Sequence, residues 1–266
     1  MWINHLKQKL DRGEVTTSMI VRMSRGPEIG MIAQASGFDS LYVDLEHSPL
    51  GLETTSVVCL AAQAAGVTPL VRVPKISSGS ITRVLDGGAM GIVAPHVESA
   101  GDAARVVECC KYPPLGGRST SSTLPQLGYG KAPAGMGSLA QVNAALNGEI
   151  VVVVMIESAA GVESVEAIAA VPGVDIILVG AGDLCADLGC AGELDDPRVM
   201  AGFERVLSAC VAAGKVAGVG GVAARLDLMA RLVAMGARYL SLGTDVGFLI
   251  AGRAAACRRV RAAVGS

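Results

Sequence analysis

The sequence has little of what several protein classes require. Its 266 residues include 22 basic and 24 acidic side chains, and this net charge of −2 gives no basic face for nucleic acid. The densest apolar run, IVVVVMI at 150–156, is far shorter than the ~18 residues that span a bilayer. The first residues, MWINHLKQKLDRGE, lack the apolar core and cleavage site of a secretory signal. We therefore expect a cytoplasmic protein that binds neither nucleic acid nor membrane.

Cysteine usage also argues against a disulfide framework. The seven cysteines are an odd number and include no C-x-x-C pair, and the adjacent Cys109 and Cys110 fall on a predicted helix. We interpret all seven as reduced and mostly packing residues, which fits a cytosolic protein better than a zinc site does.

What the chain does contain is a series of short apolar runs rich in Val, Ile and Leu. Each is almost continuously apolar, as expected of strands that are buried on both faces of a parallel sheet. Eight such runs are predicted as strands: 17–23, 40–45, 68–73, 91–97, 150–157, 175–180, 215–220 and 239–243.

Ala-rich segments that read as helices separate these strands, and several end in a glycine typical of a helix C-terminus: Gly37, Gly66, Gly214 and Gly236. Eight strands alternating with helices predict an α/β fold, a (β/α)8 TIM barrel; an open doubly wound sheet is the alternative. No Gly/Pro/Ser-rich linker divides the chain, so residues 1–266 are predicted to form one domain. The irregular stretch at 112–148 is too long for an ordinary connection and is predicted to be a functional excursion at the barrel mouth.

Active sites of such barrels lie at the C-terminal ends of the strands, so the polar residues there are the candidates. The second strand ends in Asp44, Glu46 and His47, and the third carries Arg72. An aspartate can fix the tautomer of an imidazole and raise its basicity, which makes His47 with Asp44 a candidate acid–base pair; a solvent-facing turn histidine is the alternative. Arg72 suits a carboxylate or enolate oxygen, or else forms a salt bridge to Asp44 or Glu46.

Two further carboxylates follow neighbouring strands. Glu157 ends the fifth strand and Asp183 lies in the turn after the sixth. Strand ends about 5 Å apart would let both bind one divalent ion such as Mg²⁺ or Mn²⁺, leaving positions for water and substrate. Each could equally cap the helix that follows it. His96, at the end of the fourth strand, has no local partner in sequence, and we interpret it as a residue that packs or forms hydrogen bonds at the rim.

The positions of the lysines exclude one mechanism. An aldolase that forms a Schiff base needs an inward-facing lysine on a strand. Lys215 opens the seventh strand at the wrong end, Lys75 lies past the third strand, and none of the others is well placed: Lys7, Lys9, Lys111 and Lys131. Activation of a carbonyl by a metal ion is therefore favoured.

Several stretches together resemble the HpcH/HpaI family of metal-dependent class II aldolases, which act on 2-oxo acids. They are GFDSLYVDLEHSPL (37–50), PLVRVP (69–74), GIVAPHVESA (91–100), YPPLGGRS (112–119), the long segment at 156–189 and GTD (243–245). They occur in order between about residues 20 and 250, and the segment at 156–189 is the most specific.

The resemblance implies a barrel of the phosphoenolpyruvate/pyruvate-binding type and a divalent metal ion (Mg²⁺, Mn²⁺ or Co²⁺) on Glu157 and Asp183. It implies that Arg72 holds the keto, later enolate, oxygen and that His47 with Asp44 handles protons. The backbone of the turn formed by Gly180, Ala181, Gly182 and Asp183 would bind the substrate carboxylate. It further implies a homo-oligomer, a hexamer built as a trimer of dimers, in which C-terminal helices are exchanged between subunits.

The reaction implied is reversible cleavage of a 4-hydroxy-2-oxo acid to pyruvate, or a related 2-oxo acid, and an aldehyde. Alternatives are an acyl-CoA lyase like the citrate lyase β-subunit, a decarboxylase or enolate-trapping enzyme on the same site, and a barrel that only binds an oxo acid. The chain departs from the family pattern at Met155, where Gln is common, at Ala181, where Pro is common, and at Val73, which separates Arg72 from Pro74. These departures bear on which 2-oxo acid fits.

Overall fold

The computed structural model describes residues 2–121, 123–130 and 135–264. Within these ranges, eight parallel strands pair in chain order, each with the next and the last with the first, and close into a barrel. The strands are β1 (Thr16–Val21), β2 (Ser40–Asp44), β3 (Thr68–Arg72), β4 (Gly91–Ala94), β5 (Val151–Ile156), β6 (Ile176–Gly180), β7 (Val216–Gly220) and β8 (Ala237–Thr244). The predicted (β/α)8 barrel is confirmed, and the alternative of an open sheet is wrong.

Helices surround the barrel. Those of the described residues are α1 (His5–Asp11), α2 (Glu28–Ala35), α3 (Leu52–Ala64), α4 (Ser78–Asp86), α5 (Ala100–Cys110), α6 (Leu139–Glu149), α7 (Ala159–Glu163), α8 (Val165–Ala169), α9 (Ala181–Asp187), α10 (Pro197–Ala213), α11 (Leu226–Ala234) and α12 (Asp245–Val264). A short 3-10 helix covers Pro125–Leu127. Gly214 has a φ of 65° at the end of α10, and Gly37 a φ of 80° after α2, which confirms the predicted helix ends.

The period of two along each strand divides the core into an inner and an outer layer. Side chains that point into the barrel, such as Tyr42, Leu70 and Leu178, form one buried cluster. Their strand neighbours, such as Val43, Val71 and Val179, join a larger cluster with the surrounding helices. Burial on both faces explains why the strands read as unbroken apolar runs.

The N-terminal end of the barrel is closed by α1. Leu6 and Leu10 of this helix belong to the inner cluster. Asn4 caps the helix by accepting a hydrogen bond from the Lys7 N–H, and its amide donates to the Glu149 carbonyl at 2.7 Å. The closed end leaves the opposite, C-terminal end of the strands for a site.

The segment at 112–148 differs from its prediction in two ways. Part of it is regular, because α6 occupies Leu139–Glu149. Its described contacts also lie at the closed end: the Gln126 amide donates to the carbonyls of Leu85 and Ala89, and Arg118 pairs with Asp86 at 2.6 Å. We therefore correct the expected position at the mouth; Ser122 and residues 131–134 of the predicted excursion lie outside the described residues.

The cysteines are all free, as predicted, and six of the seven are buried. No helix in the described part of the chain combines the length and the apolar character needed to cross a membrane. The last helix, α12, departs from the barrel: Asp245 is its one buried residue.

Candidate active site

Inward-pointing positions continue past the strand ends and bring charged residues together at the mouth. Tyr42 and Leu70 point inward, so two residues further on Asp44 and Arg72 do the same. These two residues are also paired in the β2–β3 register. The same alternation along β1, from Ile20, places Arg22 in this layer, and along β5, from Met155, it places Glu157 there. The mouth therefore combines two arginines with buried carboxylates.

Asp44 joins the two arginines. Its carboxylate is fully buried and accepts hydrogen bonds from Arg72 Nε at 2.9 Å and Arg72 Nη2 at 2.6 Å. Arg22 Nε donates to the same carboxylate at 2.6 Å. Burial opposes ionisation of Asp44, but the hydrogen bonds and charge of Arg72, helped by Arg22, outweigh it and lower its pKa. Asp44 is therefore a charged anchor that fixes the plane of the Arg72 guanidinium.

Glu46 lies between Arg72 and the histidines. Arg72 Nη1 is 3.0 Å from Glu46 Oε2, an ion pair whose alignment falls short of a hydrogen bond. The other oxygen, Oε1, is 2.9 Å from His96 Nε2. The salt bridge that was the alternative interpretation of Arg72 is thus present, to both acidic residues, and it holds the guanidinium at the mouth.

His96 is exposed at the rim and hydrogen-bonds there to Glu46, as one of its two interpretations has it, and it also contacts the predicted metal ligand Glu157. Pro95 ends β4, and His96 has a φ of 54°, a left-handed conformation that non-glycine residues seldom adopt. In this conformation the His96 backbone N–H donates to Glu157 Oε2 at 3.0 Å, and the ring Nδ1 lies 3.4 Å from the same oxygen. The strained residue thus orients Glu157.

The predicted acid–base pair has a different geometry from the one expected. Asp44 Oδ1 accepts the backbone N–H groups of Glu46 at 3.1 Å and His47 at 3.2 Å, so it shapes the turn after β2 rather than holding the imidazole. The carboxylate near the ring is that of Glu46, with Oε2 3.7 Å from His47 Nε2. The His47 side chain is half exposed at the rim. The role of Asp44 that the geometry favours is to position Arg72.

The predicted metal ligands, Glu157 and Asp183, fit a divalent cation. The side chain of Glu157 is 3% exposed, and its burial is the main cause that raises its pKa; the negative charge of Asp183 also raises it, against the opposing effect of His96. The carboxylate of Asp183 is exposed, and within the described ranges no side chain pairs with it. Two carboxylates close enough to repel each other, one of them buried, are a donor set that a hard divalent cation would stabilise.

The backbone around Glu157 supports this interpretation. A Cβ atom on Gly180 would lie 2.7 Å from Glu157 Oε1, so the absence of a side chain there makes room for the carboxylate. Among the described residues, no group of three or more His, Cys, Asp or Glu side chains has a metal-binding arrangement. The protein would supply two ligands, and water and substrate the others.

The predicted carboxylate-binding turn begins α9. Gly180 is the N-cap residue and has no side-chain cap, and Ala181, Gly182 and Asp183 form the first turn. First-turn N–H groups have no acceptor within their own helix. Their contact with a substrate carboxylate stays a prediction.

Arg22 is the site residue that the sequence-based reasoning missed. Its neighbour in space, Asp245, accepts the backbone N–H groups of Arg22, Met23 and Ser24 and so fixes the turn after β1. The signal was present in the sequence, because the inward alternation of β1 reaches Arg22 two residues after Ile20.

Comparison with known proteins identifies the family of the chain. The family model described as HpcH/HpaI aldolase/citrate lyase matches residues 18–252. The chain belongs to the HpcH/HpaI family. The predicted family is confirmed, and with it the predicted class of enzyme, the aldolases, which are carbon–carbon lyases.

Individual members of the HpcH/HpaI family match most of the chain. The 4-hydroxy-4-methyl-2-oxoglutarate aldolase cghB of Chaetomium globosum is 42% identical over 221 residues, which are 82% of this chain and 80% of the relative. A hydroxypyruvate/pyruvate aldolase of Paraburkholderia phytofirmans is 34% identical over 97% of this chain and 98% of its own. The crystal structure of an HpcH/HpaI aldolase from Desulfitobacterium hafniense DCB-2 has a TM-score of 0.89 at 31% identity and covers 98% of this chain and 97% of its own.

The departures from the HpcH/HpaI pattern leave the charged layer intact. Met155 is buried in the inner cluster, two residues before Glu157 on the same face of β5. Ala181 is fully buried at the start of α9. Val73 is fully buried in the outer layer, and Arg72 before it points into the barrel. Of the three departures only Met155 lies in the inner layer, and none of them changes a charge of the site.

Proposed function

We propose that this chain is a divalent-metal-dependent aldolase that reversibly cleaves 4-hydroxy-2-oxo acids to pyruvate, or a close 2-oxo acid, and a second carbonyl compound. One observation carries the proposal. A buried guanidinium, fixed in a fork on Asp44, shares the mouth with the buried carboxylate of Glu157 and the exposed carboxylate of Asp183. Membership of the aldolase family supports the reaction class.

Glu157 and Asp183 would hold the metal ion. When bound there, a divalent cation supplies Lewis-acid charge to the carboxylate and 2-oxo oxygens of a substrate. The remaining chemistry belongs to side chains of this chain, and their arrangement limits what each can do.

Arg72 is the residue placed to hold the oxygen on which negative charge develops. In the cleavage direction the C3–C4 bond breaks, its electron pair passes to C3, and the 2-oxo group becomes an enolate. A donor whose direction is fixed before reaction stabilises such an oxygen without reorganisation at the moment of bond breaking. Asp44 and Glu46 provide that fixation, since they contact three of the guanidinium nitrogens.

The proton of the C4 hydroxyl must leave as the bond breaks. We assign it to His47, the half-exposed imidazole beside Glu46 at the rim. A histidine is suited to this role because its ordinary pKa lies close to neutral pH. His96 has its ring between Glu46 and Glu157, so its role is to orient these carboxylates.

The test is pyruvate release from 4-hydroxy-2-oxo acids by protein stripped of metal and then supplied with Mn²⁺, Co²⁺ or Mg²⁺. Exchange of the pyruvate methyl protons in D₂O, followed by NMR, separates an enzyme from a barrel that only binds an oxo acid. The proposal expects both activities with metal, and expects His47→Ala to lose most of the pyruvate release. Neither release nor exchange under any of these metals would contradict it.

The same assays separate the alternatives that share the enolate. An acyl-CoA lyase would cleave malyl-CoA or citramalyl-CoA in preference to free hydroxy-oxo acids. A decarboxylase would release CO₂ from oxaloacetate faster than it releases pyruvate from an aldol substrate. A site with Arg72 and Glu157 at one mouth suits each of these reactions, so the ranking of substrates decides among them.

We also propose that the chain assembles as a homo-oligomer, with a hexamer of three dimers as the expected form. Large apolar side chains along α12 are exposed, among them Leu249 at 60% and Val260 at 62%. A helix that extends from the barrel with such side chains in water gains by packing against a second copy. Light scattering on the full chain measures the assembly, and a monomer would contradict the proposal.

A further inference from the structure

Arg22 has no role in the proposed reaction, yet the structure holds it firmly at the mouth. It is the first residue after β1, and its side chain remains 32% exposed while Asp44, to which its Nε donates, is fully buried. Arg72, by comparison, is 5% exposed. Arg22 is therefore the more exposed of the two arginines of the charged layer.

The turn that carries Arg22 is fixed by the carboxylate of Asp245 at the start of α12. Asp245, itself 7% exposed, accepts the N–H of Arg22 at 3.0 Å and that of Ser24 at 2.7 Å. Burial of Asp245 opposes its ionisation, but these backbone N–H groups outweigh it and lower its pKa. With its backbone held by one carboxylate and its Nε by another, the guanidinium has few other orientations.

The Arg22 guanidinium has N–H groups that remain available to a ligand. Arginine has five N–H groups in a planar fork that matches a carboxylate. Within residues 2–121, 123–130 and 135–264, the one hydrogen bond from the Arg22 side chain is that of Nε, so Nη1 and Nη2 are without a protein acceptor. Arg72 contrasts with this, because its Nε, Nη1 and Nη2 all meet carboxylates.

The position of Arg22 indicates which part of a substrate it would meet. In the ring of eight strands, β1 lies opposite β5, the strand that Glu157 follows, and β3 with Arg72 lies between them. A substrate with its 1-carboxylate at the Glu157 side and its 2-oxo oxygen at Arg72 extends its C4 end toward β1. The acidic residues of the mouth would repel a second carboxylate there unless a cation met it.

We propose that Arg22 binds a carboxylate attached to C4 of the substrate, so that the second product is itself a 2-oxo acid rather than a simple aldehyde. The inference rests on the proposed function and names its substrate class. The carboxylate takes no part in bond breaking: the C3–C4 electrons still pass to C3, and the C4 hydroxyl proton still leaves to His47. Arg22 is in this account a residue that determines specificity.

A matched pair of substrates tests the assignment. 4-Hydroxy-2-oxoglutarate carries a carboxylate on C4 and yields pyruvate and glyoxylate, whereas 4-hydroxy-2-oxopentanoate carries a methyl group there and yields pyruvate and acetaldehyde. The quantity to measure is the ratio of kcat/KM for the first to kcat/KM for the second. Wild-type enzyme is compared with Arg22→Met, with Arg22→Lys, and with Arg25→Met, which removes an exposed arginine from the same turn.

We expect the ratio to favour the carboxylate in the wild type and to fall roughly 10- to 100-fold in Arg22→Met, the scale of a lost charge-assisted hydrogen bond. Arg22→Lys should recover part of the ratio, and Arg25→Met should leave it unchanged. An unchanged ratio in Arg22→Met overturns the assignment. If kcat/KM falls equally for both substrates, Arg22 only supports Asp44; if it falls for neither, Arg22 has no part in recognition. If wild-type enzyme cleaves neither compound but still exchanges the pyruvate methyl protons, this assignment alone is overturned; if it neither cleaves them nor exchanges those protons, the proposed function fails as well.

Discussion

Arg72→Lys is the substitution whose consequences follow most directly from the geometry. The wild-type guanidinium donates to Asp44 at 2.9 and 2.6 Å and lies 3.0 Å from Glu46 Oε2. A lysine keeps the charge but has one nitrogen, so it cannot bind Asp44 in a fork and also reach Glu46 and an enolate oxygen. We expect kcat for pyruvate release to fall roughly 100- to 1000-fold, as when one oxyanion donor is removed.

The same substitution should also cost stability, by no more than it costs activity. Asp44 is fully buried, but it keeps the hydrogen bond from Arg22 Nε at 2.6 Å. A lysine can keep one of the two hydrogen bonds of Arg72 to Asp44, so the loss is that of one hydrogen bond to a charged group, about 1.5–3 kcal/mol of unfolding free energy. Urea denaturation measures this change, and a coupled assay for pyruvate measures kcat.

Arg231→Lys is the matched control. Arg231 pairs with Glu204 at 3.0 Å, and both side chains are more than half exposed, so it should change neither kcat nor the unfolding free energy by a measurable amount. If Arg72→Lys retained kcat within about tenfold of the wild type while folding normally, the oxyanion role of the fork would be refuted.

Two further predictions test the surroundings of Glu157 and Asp44. In Gly180→Ala, the new Cβ would lie 2.7 Å from Glu157 Oε1, so Mn²⁺ affinity should fall roughly 10- to 100-fold; Gly148→Ala, where a Cβ meets open space, is the control, and equal affinities would contradict the close packing. The pKa of Asp44 is lower in the folded protein than its unfolded value of about 3.9, so the ionised group stabilises the fold at pH values above about 3.9. This stabilisation is lost as the pH falls through the lower, folded pKa. Asp44→Asn should therefore be less stable than wild type at neutral pH and should lose less stability on acidification in urea denaturation series from pH 7 to pH 2; parallel curves would contradict this.

The strands could be predicted from the sequence because they are buried on both faces. Seven of the eight predicted runs differ from the observed strands by no more than two residues at either end. The predicted fourth strand, 91–97, is three residues too long because Pro95 has no N–H to donate and His96 adopts a left-handed conformation. The apolar pattern does not show that conformation.

Site residues could be predicted where a charge interrupts an apolar strand end, as at Asp44, Arg72 and Glu157. Their partners could not, because the sequence does not give distances across the barrel. The contact of His96 with Glu46 joins residues 50 positions apart. Asp44 likewise accepts a hydrogen bond from the backbone N–H of His47 and none from the His47 imidazole, because of the geometry of the turn after β2. Alternation along β1 predicts that Arg22 points inward, like Ile20. Because the predicted strand extended to residue 23, Arg22 was not recognised as a residue at the strand end.

The 112–148 segment shows the same limit at a larger scale. Its length and its Gly and Pro content distinguish it from an ordinary connection, but they do not say which end of the barrel it covers. The contacts that decide this, from Gln126 to Leu85 and Ala89, join residues about forty positions apart along the chain. Contacts between residues far apart in sequence decide which end of the barrel a segment covers.

The central claim is that Glu157 and Asp183 bind one catalytic divalent cation, and direct Mn²⁺ binding tests it. Wild-type protein, Glu157→Gln and Asp183→Asn are treated with chelator and titrated with Mn²⁺, with the free ion measured by electron paramagnetic resonance. We predict one ion per wild-type chain, greatly weakened binding in both variants, and loss of pyruvate proton exchange in chelator. Equal Mn²⁺ binding by Glu157→Gln, or full exchange by chelator-treated wild type, would contradict it.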